Sequence, residues 1–413
     1  MGWQPLLTGA LKDKALERAR ALLETLPPPG ACDQPGASLS GGAAGLAVSM
    51  AVAAQGGHRE RAAELAAAHL EAAIEVLASR PFSMSLFAGF TGIGWAATMV
   101  DRLLPGAGAD RCDEVDTALS SAVWRYPELG PYDVIDGLAG VGGYALARWP
   151  RGAAADCLVG VVRQLARRVR TDADRSYWWT APEAMAGPRR RLYPDGGVDV
   201  GVAHGLAGVI PLLARACSLG VCEPTARPLL DGVVRWLLAH RLDGSSGLTM
   251  PSFIAAGGEP VPARSAWCYG DPGVAVALLL AGRDLDEPDW QQAGLELGLQ
   301  AGRRLPEQSG VTEAGVCHGA AGLAHLFMRM YELAGVEEFA AAATFWIDRT
   351  LAMTDRITVR EAGSNQVSWH GPGLLEGAAG IALVLLAACE PAEPIWDQML
   401  LGSTGLPSPV TTR

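Results

Sequence analysis

The stretch Cys317-His318-Gly319-Ala320-Ala321-Gly322 is one of seven copies of the pattern that decides the fold. In each copy, two glycines three positions apart lead directly into a run rich in Ala, Leu and Val. The first glycines are separated by 47, 48, 68, 65, 49 and 58 residues, and they are Gly42, Gly89, Gly137, Gly205, Gly270, Gly319 and Gly377. Each interval has room for two helices with their loops, and periods of this size indicate a repeat fold.

Each repeat contains two kinds of helix. The helix after the glycines is apolar on nearly all sides, as a buried helix is, whereas the second, as at 61–77 and 161–170, has one charged side. Fifty-one glycines and only 6% aromatic residues favour close-packed helices over sheets. We therefore predict an all-α chain in which seven inner and seven outer helices close into an α/α toroid. Closure also explains why neither end shows a polar capping repeat.

The chain of 413 residues is too long for one ordinary compact core. A toroid can hold this length in one repetitive architecture, so we predict a single domain over 1–413. The intervals after Gly137 and Gly205 are the longest. Within the first of them, 171–197 contains a Tyr-Trp-Trp-Thr-Ala-Pro run and no helical period. We predict that this segment is an insertion or lid near one rim. The tail after Gly402 is expected to fray.

The bulk composition excludes several classes of protein. A net charge of −11 argues against a nucleic-acid binder, and no apolar stretch is long enough to span a membrane. The start, Met1-Gly2-Trp3-Gln4-Pro5, has neither the basic nor the apolar segment of a secretory signal. We therefore expect a cytoplasmic protein, in which eight scattered cysteines do not form a disulfide framework.

Cys268, Cys317 and His318 lie just before two successive glycine steps. Because all the steps fall on one face of the predicted ring, these side chains should converge there. Two thiolates and one imidazole suit Zn²⁺ and leave a fourth position open. The alternative is a buried cysteine with a helix-capping histidine, but Cys268 at the matching place in the preceding repeat favours a metal. The other cysteines are assigned to small apolar gaps: Cys32, Cys112, Cys157, Cys217, Cys222 and Cys389.

His204 immediately precedes Gly205 and so occupies the repeat position of His318. It could be a fourth ligand, a general acid or base, or a structural histidine. An open metal site needs a proton partner, which favours the acid–base role. Asp133 and Asp136 both lie just before Gly137, and either carboxylate could orient His204. The spacing does not choose between them, since one of them could cap the helix.

Arg264, four residues before Cys268, and Tyr269, directly after it, are further candidates for the pocket. The alternatives are a surface salt bridge for the arginine and a rim aromatic for the tyrosine. Arg163, Arg167 and Arg170 follow each other at i, i+4 and i+7. Such a stripe is most often a solvated helix face, and contact with an acidic peptide is the alternative.

Three motifs together resemble the LanC family of lanthipeptide (lantibiotic) cyclases, and the glycine repeats extend the resemblance over essentially the whole chain. The motifs are His204-Gly205-x-Ala207-Gly208, Trp267-Cys268-Tyr269-Gly270-x-Pro272-Gly273 and Cys317-His318-Gly319-x-Ala321-Gly322. The resemblance implies that Cys268, Cys317 and His318 bind zinc. It also implies that His204 and Asp133, in preference to Asp136, form an acid–base pair, with Arg264 and Tyr269 as pocket residues.

The activity implied by this resemblance is a zinc-dependent cyclisation. Peptide cysteine thiols would add to dehydroalanine or dehydrobutyrine in a ribosomally made precursor, giving lanthionine or methyllanthionine thioether rings. The implied partners are the dehydrated precursor peptide, a dehydratase and an exporter. Two alternatives are a LanC-like protein that adds glutathione or acts as a zinc-bearing scaffold, and a protein prenyltransferase-like subunit. The latter needs an aromatic-lined cavity, which 6% aromatic residues do not favour.

Overall fold

The computed structural model describes residues 3–30, 35–105, 110–185, 187–243, 247–355 and 371–402; Cys32, His370 and the tail beyond Gly402 lie outside these ranges. Its helices in chain order are α1 Gly9–Glu24, α2 Ala43–Gln55, α3 Ala62–Ser79, α4 Phe90–Leu103, α5 Asp113–Val123, α6 Leu138–Arg148, α7 Gly152–Arg168, α8 Gly187–Leu192, α9 Val209–Ser218, α10 Glu223–Ala239, α11 Asp271–Leu285, α12 Pro288–Gly302, α13 Pro306–Ser309, α14 Ala320–Ala334, α15 Glu337–Thr354 and α16 Ala378–Cys389. Its strands are β1 Arg170–Asp172, β2 Arg175–Tyr177, β3 Gly197–Asp199, β4 Pro251–Ala255 and β5 Val261–Pro262.

The helices form two concentric layers. The inner layer is α2, α4, α6, α9, α11, α14 and α16; each packs on the next, and α16 packs on α2 to close the ring. Six outer helices, α3, α5, α7, α10, α12 and α15, each pack on the inner helix that precedes them, and α1 covers α16. Within the described ranges, the predicted toroid of seven inner and seven outer helices is confirmed. No described helix combines the length and apolar character that crossing a membrane demands.

The N-terminal residues and α1 complete the outer layer against the last repeat. The Trp3 indole N–H donates to Ala387 O at 2.8 Å, and the backbone N–H groups of Leu6 and Leu7 both donate to Ala388 O at 2.9 Å. Arg18 of α1 donates to Thr354 O, at the end of α15, at 2.8 Å. The outer layer is therefore complete only because residues far apart in sequence pack together.

The glycines of each pair are required because there is no room for a Cβ atom at their positions. At the second glycine of every pair, a Cβ would overlap the carbonyl oxygen of the residue six positions earlier, as at Gly380 beneath Leu374 O. Gly270 has in addition a φ of +95°, a backbone conformation that favours glycine. The loop before each inner helix thus folds back tightly onto the first turn of that helix. This contact explains why the pattern recurs in all seven repeats.

A closed circle of backbone hydrogen bonds joins the seven loops. In each loop, the residue two positions before the first glycine donates its N–H to the carbonyl of the equivalent residue in the next loop, at 2.9–3.4 Å. The members of this circle are, in order, Ser40, Phe87, Ile135, Ala203, Cys268, Cys317 and Leu375, and Leu375 donates back to Ser40. The circle satisfies polar groups that the tight loops would otherwise bury without partners.

A buried segment, Ile395–Leu400, lies inside the ring. Its Asp397 accepts hydrogen bonds from His325 and Arg329 of α14, at 2.8 and 2.6 Å, and the Leu400 carbonyl accepts one from the Trp267 indole at 3.0 Å. Burial alone would raise the pKa of Asp397, but the charge of Arg329 and the hydrogen bonds from His325 and Arg329 lower it to about 2. His325 and Arg329 therefore hold the segment Ile395–Leu400 in place inside the ring.

The two longest intervals between glycine pairs, those after Gly137 and Gly205, together form a small sheet at the rim. Residues 171–197 contain most of the β1–β2 hairpin, the helix α8 and the start of β3, so the segment is more regular than its sequence suggests. Strand β3 pairs antiparallel with β4, and β4 pairs with β5, both from the next interval. Strands of two to five residues are too short to show a clear alternation of apolar residues. Helix α7 ends at Arg168, so Arg170 lies in β1 and does not share a helix face with Arg163.

We expect Gly380→Ala to lower the free energy of unfolding by about 1–3 kcal/mol, because the added methyl group has to displace backbone at Leu374. Gly152→Ala is the matched control, since nothing lies within 4 Å of a Cβ at that helix start. It should leave stability unchanged or raise it by up to about 1 kcal/mol. Urea unfolding followed by circular dichroism measures both. Equal stability of the two variants would contradict the steric explanation.

Candidate functional site

Cys268, Cys317 and His318 come together at the mouth of the ring. One potential ligand atom from each, two sulfurs and one imidazole nitrogen, all lie within 4.8 Å of one another. Ligands of a tetrahedral zinc are about 3.5–3.8 Å apart, given Zn–S and Zn–N bonds of about 2.3 and 2.0 Å. Both cysteines are buried and the histidine is partly exposed, so the cluster faces solvent on the histidine side. The arrangement can hold a metal after small side-chain shifts.

Cys268 is held by contacts on both sides of it in the chain. Before it, Trp267 is anchored to the buried segment in the ring through its indole N–H. After it, the buried Asp271 accepts hydrogen bonds from Thr249 and Met250 and pairs with the buried side chain of Arg304. The Cys268 N–H donates to Cys317 O at 3.3 Å, as one link of the backbone circle. The thiol therefore sits on a rigid loop.

His318 is oriented by a carboxylate. Its Nε2 lies 2.7 Å from Glu313 Oε1, whereas Glu376 Oε1 is 4.0 Å from Nδ1. Nδ1 is buried, and the imidazole contacts the Cys268 thiol. A histidine that binds a metal through one nitrogen usually donates its other N–H to a carboxylate or carbonyl. The Glu313–His318 contact therefore leaves Nδ1 as the nitrogen suited to a metal.

The electrostatics of the cluster favour a thiolate. A hydrogen bond from Cys317, together with His318 and the charge of Arg264, lowers the pKa of Cys268 despite its burial. The same hydrogen bond and burial raise the pKa of Cys317, and the contact with Cys268 raises the pKa of His318. Arg264 is exposed at the mouth, where its positive charge acts on all three groups.

His204 pairs with Asp133. The imidazole Nδ1 lies 3.0 Å from Asp133 Oδ2, while Asp133 Oδ1 accepts the backbone N–H of Asp136 at 2.7 Å. Burial disfavours the imidazolium, but the hydrogen bond to Asp133 and the charges of Asp133 and Asp199 outweigh it and raise the pKa of His204. The two carboxylates that the spacing left open thus differ in the structure, and Asp133 is the one that contacts the histidine.

Tyr269 belongs to a buried polar cluster next to the metal-binding candidates. Its hydroxyl donates to Asp199 Oδ2 at 3.0 Å and accepts a hydrogen bond from Arg189 at 2.8 Å. Asp199 is fully buried, and its ion pair with Arg189 ties α8 of the insertion to the mouth. The hydroxyl proton of Tyr269 is therefore already engaged in a hydrogen bond to the carboxylate of Asp199.

The polar residues at the mouth occupy repeated positions. Directly before the first glycine of five successive repeats stand Asp136, His204, Tyr269, His318 and Glu376. Six residues before the first glycine of three successive repeats stand Asp199, Arg264 and Glu313. Of the second set, only Arg264 is a candidate from its place beside the Cys268 motif. Aligning the repeats by their glycines would have identified Asp199 and Glu313, whereas nothing in the pattern indicated Arg189.

Comparison with known proteins gives consistent matches. Residues 34–401 match the family model described as lanthionine synthetase C-like protein. The chain is 27% identical over 275 residues to the nisin biosynthesis protein NisC of Lactococcus lactis subsp. lactis, a match that covers 62% of this chain and 60% of NisC. It is 26% identical over 184 residues to the LanC-like protein GCL1 of Arabidopsis thaliana, covering 44% of this chain and 38% of that protein.

A solved structure of nisin cyclase shares the fold. It superposes with a TM-score of 0.74 at 20% sequence identity and covers 95% of this chain and 96% of the other. The family match extends over most of the chain, including all seven glycine steps and every candidate site residue. The chain therefore belongs to the lanthionine synthetase C-like protein family.

Proposed function

We propose that the protein is a zinc-dependent cyclase that adds cysteine thiols of a dehydrated precursor peptide to dehydroalanine or dehydrobutyrine, forming thioether rings. The observation that carries the proposal is the cluster of Cys268, Cys317 and His318 on the same rim as the His204–Asp133 pair. The Ala203 N–H donates to the Cys268 carbonyl at 3.2 Å, so the backbone itself joins the two halves of the site.

The donor set fits zinc. Two buried thiols, of which one favours the thiolate, and the imidazole that contacts Cys268 form a borderline-soft, three-ligand site. Glu313 would orient His318, and Cys268 and Cys317 would complete the protein ligands. Bound zinc would supply a Lewis acid that lowers the pKa of an incoming thiol, which is about 8.5 when free.

His204 suits the role of proton donor. In the addition, the peptide sulfur bonds to the β-carbon, the electron pair of the double bond moves toward the adjacent amide carbonyl, and the α-carbon takes a proton. The raised pKa keeps His204 protonated closer to neutral pH, and Asp133 holds Nδ1, so that Nε2 carries the transferable proton. The thiol proton leaves to solvent, which balances the reaction.

Arg264 and Tyr269 are assigned different tasks. Arg264 is exposed beside the ligands, where its charge would stabilise negative charge that develops on the amide oxygen. Tyr269 donates its proton to Asp199, so it positions the wall of the site and does not itself supply a proton. We further propose that the insertion at 171–197 acts as a lid on this rim within a single domain. A cytoplasmic location, with a dehydratase and an exporter as partners, also belongs to the proposal.

The decisive experiment is incubation with a dehydrated, cysteine-containing peptide, followed by thiol alkylation and mass spectrometry. We expect peptide that resists alkylation without any change in mass, and no requirement for glutathione. Cys268→Ala and Cys317→Ala should lose bound zinc and cyclisation together, whereas Cys157→Ala, at a buried cysteine in α7, should keep both. Modification that requires glutathione would support the glutathione-adding alternative. Stoichiometric zinc in Cys268→Ala would refute the ligand assignment.

Glu313→Gln should weaken zinc binding by about 10- to 100-fold, since the carboxylate that orients His318 is lost. Competition with a chromogenic zinc chelator measures the affinity. Glu307→Gln is the control, because Glu307 is an exposed acidic residue in the preceding short helix. Unchanged affinity in Glu313→Gln would show that the 2.7 Å contact does not support the metal site.

The pH dependence of cyclisation tests the proton donor. If His204 acts as an acid, the single-turnover rate falls as the pH rises through its raised pKa. Asp133→Asn removes the carboxylate that raises this pKa, so the fall should move to lower pH and the maximal rate should drop. Asp136→Asn should leave the profile close to wild type. A profile that Asp133→Asn does not move would rule out His204 as the titrating group, even if zinc is retained.

A further inference from the structure

A cavity of about 390 Å³ adjoins the acid–base pair. Its wall combines the end of α7, the loop 128–133 and the segment 178–184 of the insertion, and it includes both Asp133 and His204. Small-ligand pockets occupy roughly 300–1,000 Å³, so the cavity has room for a few peptide residues. It is therefore continuous with the proposed site, yet most of its wall takes no part in the chemistry described above.

The cavity wall is rich in arginine in a protein whose net charge is −11. Arg167, Arg168 and Arg170 line it, together with the carboxylates of Glu128, Glu183 and Asp133, of which Asp133 is paired with His204. Arg168 donates mainly to backbone carbonyls at 2.8–3.2 Å, and the charge of Glu128 acts on it. Arg167 and Arg170 are exposed and form no ion pair with a residue of the described ranges. These two guanidinium groups are available to a carboxylate ligand.

The remaining wall suits a peptide. The guanidinium of Arg170 lies 4.8 Å from the centre of the Trp179 ring, and Leu129 is 66% exposed, which provides apolar surface beside the charges. The hydroxyls of Tyr132 and Thr180 are buried beside each other, so they contribute no accessible donor to this wall.

We propose that this cavity is the subsite for the segment of substrate peptide that flanks the reacting residue, and that it selects a segment carrying an acidic side chain next to an apolar one. The carboxylate would pair with Arg167 and Arg170, and the apolar side chain would pack on Trp179. This inference rests on the proposed function for the identity of the peptide; its chemistry follows from the cavity.

The test is a binding measurement that needs no catalysis. The probes are a fluorescein-labelled decapeptide with two glutamates flanking a leucine, and its twin with glutamines. By fluorescence anisotropy at low salt, wild-type protein should bind the glutamate peptide at least about ten-fold more tightly, as expected for one charge-assisted hydrogen bond or more. Arg167→Gln/Arg170→Gln should bring this ratio close to one. The control Arg20→Gln/Arg163→Gln removes equal charge from exposed arginines outside the cavity and should keep the ratio.

Charge reversal provides a result that misfolding cannot mimic. Arg167→Glu/Arg170→Glu should prefer a twin peptide with lysines over the glutamate peptide. Equal binding of both peptides by wild-type protein, or equal loss in the control, would overturn the subsite. The subsite and the cyclase proposal fail separately: peptide discrimination without cyclisation supports the subsite alone. Cyclisation of an acidic dehydrated peptide with unchanged KM in Arg167→Gln/Arg170→Gln refutes the subsite alone.

Discussion

The closed circle of seven backbone hydrogen bonds is the constraint on which the rest of the structure depends. Each bond contributes only about 0.5–1.5 kcal/mol, so its main effect is on register. Because each loop bonds to the next through the same position, residues at equal distances from the glycines become neighbours around the mouth. Cys268 and Cys317 occupy adjacent places in this circle, and a shift of one residue would turn one of the thiols away from the other.

The candidate site adds side-chain anchors to this register. Trp267 and Asp271 fix the loop of Cys268 from either side, and Glu313 fixes the ring of His318. On the other half, Asp133 fixes His204. A site whose side chains are held before the ligand arrives loses little ordering entropy on binding. This ordering requires buried carboxylates, and a buried charge is costly unless it is paired. Asp199 and Asp271 accordingly each pair with an arginine.

Much of this architecture could be predicted from the sequence because its cause is local. A carbonyl that leaves no room for a Cβ demands glycine at each repeat, and so the period of the toroid is visible in the residues. The rim sheet could not be predicted in this way, since β3 and β4 come from different repeats and are very short. Likewise, the contact of Arg189 with Asp199 and Tyr269 depends on how the insertion packs against the mouth.

The choice between Asp133 and Asp136 likewise could not be predicted from the sequence spacing, although both residues lie in one loop. Both precede the same glycine, and spacing treats them alike. Only the turn of the backbone, in which the Asp136 N–H donates to Asp133, directs one carboxylate to His204. A pattern of residues can thus identify a set of candidates, whereas the path of the chain between them decides which of the set make contact.

The segment Ile395–Leu400 limits the directions from which a ligand can enter and leave the ring. Trp396, Asp397 and Met399 are buried among the inner helices, so within the described part of the chain this segment occupies the hole of the toroid. Under the proposed function, a peptide would therefore enter and leave on the mouth side and would not be threaded through the ring. A bulky, cross-linked product would leave by the same opening, and one molecule could return for successive cross-links.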